Sequence, residues 1–125
     1  MNFLEKDTTL FNLIKTGQIR LRDAEISAIK VFTQNYQLYI EIDFAYSDQN
    51  PTRLKFSDIR EYSFYHRHDH HFRYIENFNL LKINNLFYFT FDTENEEAST
   101  ISENDQDYIL FGHFEAYQTY DSIGQ

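Results

Sequence analysis

Residues 36–46, YQLYIEIDFAY, alternate apolar and polar side chains, so that Leu38, Ile40, Ile42 and Phe44 share one side of an extended chain and Tyr39, Glu41 and Asp43 the other. A period of two is a strand signal, and one dry face backed by one wet face suits an antiparallel sheet. The pattern recurs. In RLKFSDIREYSFYH, residues 53–66, Leu54, Phe56, Tyr62 and Phe64 are the apolar markers. A run from about Phe72 to Ile83 meets LFYFTFD across Asn84–Asn85, a dipeptide that tolerates positive φ and so suits a two-residue hairpin turn, with Phe87, Phe89 and Phe91 on one face. YILFGHFEAYQTY, from Tyr108, is the last strand. Residues 18–32 alternate with a change of phase near Asp23–Glu25, as in a bulged strand, and place Ile26, Ile29 and Val31 in the core.

Composition agrees, with thirteen Phe and ten Tyr against three Gly and one Pro. One segment breaks the β pattern. In DTTLFNLIK, residues 7–15, Leu10, Phe11 and Ile14 share a helical face, Asp7 can cap the first turn, and Gly17 can take the left-handed position beyond the end. The fold class expected is therefore mainly β: an antiparallel sheet forming a sandwich or curled half-barrel, with one short N-terminal helix. A chain of 125 residues makes a single domain, 1–125, with the tail from 121 to 125 frayed.

Several chemistries are excluded by what is missing. Cysteine is absent, which removes disulfides, thiolate nucleophiles and Cys-ligated metal, and points to an intracellular, cytoplasmic protein. No apolar run reaches signal-peptide or membrane-spanning length, so the expectation is a soluble chain. Gly17, Gly112 and Gly124 are too scattered for a phosphate-cradling loop. No nucleophile elbow exists, and Ser57 and Ser63 lie in strand pattern without a base visible beside them. The chain reads as non-enzymatic, with no cofactor.

Charge is unevenly placed. Residues 1–82 hold eleven basic and eleven acidic side chains, whereas residues 83–125 hold nine acids and no Lys or Arg. The net charge of −9 thus belongs to the last third. Such a field repels nucleic acid and anionic membranes and steers a basic protein partner inward. Seven of the acids lie in residues 92–107, DTENEEASTISENDQD, which reads as a solvated loop. Glu94, Glu96, Glu97, Glu103, Asp105 and Asp107 would form the partner-binding surface, with Tyr108 or Tyr117 as aromatic anchors. The segment ENDQD has oxygen ligands at alternate positions but lacks the Gly and distal Glu of a calcium loop.

Four of the five histidines fall within YHRHDHHFRY, residues 65–74. If that stretch is extended, His66, His68 and His70 share a face and could hold Zn or Ni, but the site lacks a good general base for bound water unless Glu61 or Glu76 swings near. A hairpin tip joining two aromatic strands accounts for the same residues without a ligand. A third alternative is a homo-oligomer in which an exposed sheet edge pairs with a second copy.

The segments LKFSDIREYSFY, YIENFNLLKINNLFYFTFD and DQDYILF resemble a pattern in small bacterial proteins grouped with the immunity proteins of toxin systems. There, an aromatic strand precedes an aromatic hairpin, and an Asp-x-Asp-aromatic-Ile segment follows. The similarity covers about residues 50–112 and rests mainly on core aromatics. It implies a fold and a toxin-binding role, and it carries over no catalytic residue. Many such toxins are basic nucleases, which an acidic surface would suit.

Overall fold

The computed structural model describes residues 1–64, 75, 77–91, 93 and 98–118. Strand β7 (Tyr108–Gln118) organises the sheet. Along one edge it pairs antiparallel with β4 (Thr52–Ser63), from Thr52↔Gln118 to Ser63↔Tyr108. Its other edge is shared between β6 (Leu86–Thr90), over Tyr108–Phe111, and β1 (Asn2–Lys6), over Glu115–Gln118. Beyond β4 lie β3 (Gln37–Ala45) and β2 (Glu25–Gln34), and beyond β6 lies β5 (Asn79–Ile83). The result is one seven-stranded antiparallel sheet, ordered β2-β3-β4-β7-β6-β5 with β1 against β7, and not closed into a barrel. Among the described residues it is mainly β, as the alternation requires, with one helix. The Asn84–Asn85 hairpin also forms, with Ile83 paired to Leu86 and Asn84 at φ +57°.

The helix, α1, spans Asp7–Lys15 and buries Leu10 and Ile14, and Gly17 beyond it sits at φ +80°. Asp7 does not cap it. The cap position is Lys6, without a side-chain bond. Asp7 instead turns the chain at φ +49° and aims its carboxylate across the sheet, where Oδ1 accepts from the Phe114 N–H at 3.1 Å. That N–H lies in the interval of β7's edge that neither β6 nor β1 covers, and a buried amide without an acceptor is costly. The cross-sheet bond therefore takes precedence over the local cap.

The core lies on one face, from Ile40, Ile42 and Phe44 of β3 through Leu54 and Phe56 of β4 to Ile109, Phe111, Phe114 and Ala116 of β7 and Phe87 and Phe89 of β6. Residues 18–24 are not strand. Leu21 and Ala24 fold under instead, held by paired bonds from Asp23 N–H to Ile75 O and from Ile75 N–H to Ala24 O, both 2.9 Å. Val31, expected in the core, is 40% exposed, and Leu38 beside it is 37% exposed, because Ile40 ends the covered part of that face.

The buried positions of β7 change phase, falling at 109 and 111 and then at 114 and 116. Opposite this step, Asp58 of β4 takes φ +50° and the register slips between Ile59 and Glu61. Gly112 is required there, since a Cβ would lie 2.0 Å from Asp58 Oδ2 and 2.9 Å from Asp58 Cβ. Gly112→Ala is expected to cost about 1–3 kcal/mol by overpacking. Adding Asp58→Gly removes both the clash and the positive-φ strain, so most of the loss should return in denaturant unfolding. Strictly additive effects of the two substitutions would show that the contact is unimportant.

Candidate functional site

Of the eleven basic residues, Arg20, Arg53 and Arg60 are held in ion pairs, and Lys6, Lys30 and Lys55 stand opposite acids in the sheet. Register sets Lys30 beside Glu41, Glu41 beside Lys55, Lys55 beside Glu115 and Glu115 beside Lys6, so one outward row alternates in sign across five strands. Arg53 grips Asp43 with two bonds, of 2.6 and 3.0 Å, which holds its guanidinium above its ordinary pKa. Arg20 does the same with Asp48, and Arg60 with Asp58. The excess of acid stays with the last third, where Glu115 stands between Lys55 and Lys6.

Part of that acid is built into the fold. Asp105 and Asp107 are 7% and 0% exposed, which corrects the expectation of a wholly solvated loop. Tyr88 alternates with Phe87 and Phe89 and so points to the opposite face, where residues 98–107 cover it. Asp105 is the acceptor around which that cover is arranged. Its carboxylate takes the Tyr88 hydroxyl at 2.7 Å, the Thr93 hydroxyl at 3.2 Å and the Ser102 N–H at 3.4 Å. The Asp107 backbone carbonyl accepts from Phe91 N–H, and the Asn79 amide donates to Ala98 O.

Glu103 and Tyr108 stay at the surface beside this anchor. Tyr108 donates to Glu61 Oε1 at 2.5 Å, pairing the last strand with the end of β4. Together with Tyr88, Asp105, Ile101 and Leu110 they border a recess of about 220 Å³. That is below the size of ordinary small-molecule sites, roughly 300–1,000 Å³. The recess is a shallow dent with Glu61, Glu103 and Asp105 and the rings of Tyr88 and Tyr108 in its lining. Tyr117, the other expected anchor, donates to Glu115, and this bond with burial raises its hydroxyl to about 12.

Glu94, Glu96 and Glu97 lie outside the described residues, as do His66, His68 and His70. Among the described residues no three His, Asp or Glu side chains are grouped to hold a metal ion. His113 lies directly opposite Ser57, and its Nδ1 is 3.3 Å from Asp7 Oδ2, so the residue types of a hydrolytic triad meet on the outer face. Among the described residues no hydrogen bond joins Ser57 to His113, and the ring is largely exposed, so the nucleophile–base contact is missing. Among the described residues no helix is long and apolar enough to cross a membrane.

Burial first, and then the Asp105 bond, hold the Tyr88 hydroxyl protonated well above the usual tyrosine range. In the unfolded chain it ionises near pH 10. Its contribution is thus fully present below about pH 10 and lost as pH rises beyond it, because the unfolded state releases the proton first. Tyr88→Phe should flatten the fall of the urea midpoint above about pH 10. An unchanged slope would mean that the hydroxyl titrates as freely as in the unfolded chain.

Comparison of the chain with protein-family models, with curated proteins and with solved structures found no match.

Proposed function

We propose that this protein is a non-enzymatic binding module that engages a basic protein through the acidic end of its sheet, as an immunity protein engages a toxin. The observation that carries the reading is the charge split at Lys82, nine acids and no Lys or Arg beyond it, against eleven bases balanced by eleven acids before it. Glu103, Glu61 and Tyr108 beside the loop are the described part of the binding surface, and Glu94, Glu96 and Glu97 extend it in the sequence. Asp105 and Asp107 support that surface from beneath and are removed from the contact set.

Acidic charge of this kind accelerates encounter with a basic partner and is screened by salt. The test is affinity capture from the source cell at low and high salt, comparing the native chain with a Glu94→Gln, Glu96→Gln, Glu97→Gln, Glu103→Gln variant. A basic protein held in low salt, lost with the variant, and toxic unless this chain is co-expressed is the expected result. Equal capture by both chains would overturn the reading.

A further inference from the structure

We propose that two copies of this chain join through the open edge of β2, antiparallel and about a two-fold axis at Val31. Among the described residues, β2 pairs with β3 alone. The two-residue turn Asn35–Tyr36, with φ of +52° and +65°, closes the β2–β3 hairpin at Gln34↔Gln37. The pair flanking such a turn is hydrogen-bonded, so Gln34, Phe32, Lys30 and Ala28 turn their backbone groups toward β3. Ile29, Val31 and Thr33 consequently turn theirs to the open edge. The turn limits the free edge on one side, and the register shift between Ile26 and Ala28 limits it on the other. What can pair is Ala28–Gln34, and its midpoint is Val31.

Charge selects the same centre. With the axis at Val31, Ile29 faces Thr33 of the second copy, and Lys30 faces Phe32, a ring that the Lys30 of its own copy already overlies at 4.8 Å. A centre at Lys30 would set two ammonium groups opposite one another, which is destabilising in a sheet. The Val31 register makes six backbone hydrogen bonds and covers the exposed Val31. The other strands with one open edge are different: β5 has five residues, of which Asn79, Leu80 and Leu81 are buried, and β1 has five residues broken by a register shift between Phe3 and Glu5. Between its bulge and its turn β2 is lightly guarded as an edge, since Ala28–Gln34 contains no Pro and one charge, Lys30. This inference is independent of the acidic end of the sheet.

The first measurement is sedimentation velocity on the full chain across a concentration series, with Val31→Lys in parallel. Dimers that form with rising concentration are expected, weakened at least about tenfold in the variant, a change of roughly 1.4 kcal/mol. The second uses single cysteines in a chain that has none of its own. In the proposed register the two Val31 Cα atoms lie about 5.5 Å apart, within disulfide reach. The two Ile29 positions lie roughly 14 Å apart, four residues along the strand. Mild oxidation should therefore cross-link Val31→Cys and not Ile29→Cys. A chain monomeric at every concentration, or equal cross-linking at both positions, would overturn the proposal, and the cysteine pair decides it even if Val31→Lys fails to fold.

Discussion

Phe56→Ala is expected to lower the unfolding free energy by about 3–5 kcal/mol, the range for an aromatic side chain deleted from a core. Phe56 stands where the inner faces of three strands converge. Its ring lies edge-on to Phe111 at 4.7 Å between centroids, and it stacks on Phe114 at 6.0 Å and on Phe89 at 6.1 Å. Those neighbours come from β7 and β6 and cannot collapse into the space, because Phe111 is paired with both β4 and β6, and Phe114 is held by β4 on one edge and by Asp7 on the other. The cavity term should therefore be near its upper value. Denaturant titration with an unchanged slope checks this, and a loss below about 1.5 kcal/mol would show that the site relaxes. Phe56→Leu, which keeps most of the volume, should lose much less.

How far the fold could be read from the chain follows from which interactions are local. Alternation in residues 36–46, the Phe87–Phe89–Phe91 face, the Asn84–Asn85 turn and the helix from Asp7 are all set by neighbours within a few residues, and all are found. β1 was not legible: Asn2–Lys6 has no alternation, and it becomes a strand because β7 offers an edge more than 100 residues away. Val31 fits the apolar phase of β2, but core membership depends on what covers the strand, and that cover stops short of the edge. The step at Gly112 did leave a trace, since the buried positions cannot keep a single period from Ile109 to Ala116.

The acidic loop shows the same division within one segment. Seven carboxylates in residues 92–107 look alike in sequence, yet a buried carboxylate is tolerated where donors converge on it. For Asp105 the donors are Tyr88, Thr93 and Ser102, and Tyr88 is 17 positions away on another strand. The available hint was Tyr88 itself, an aromatic in the polar phase between two core phenylalanines, which implies that its face is covered.

Asp105→Ala should accordingly behave as a core substitution in a stretch that reads as solvent-exposed. It strands a buried tyrosine hydroxyl and removes a charge-assisted bond, which together cost about 3 kcal/mol. Asp105→Asn keeps an acceptor for Tyr88 and should cost less. Glu103→Gln, two residues away and exposed, should stay within about 0.5 kcal/mol. The two positions therefore separate stability from recognition: Asp105→Ala lowers the denaturant midpoint whether or not a partner is present, whereas Glu103→Gln leaves the midpoint in place and slows association with a basic protein at low salt. An Asp105→Ala chain as stable as the native one would mean that Tyr88 finds another acceptor and that the loop is not anchored through this carboxylate. If Glu103→Gln alone weakens the fold, the surface assigned to the partner is serving the sheet instead.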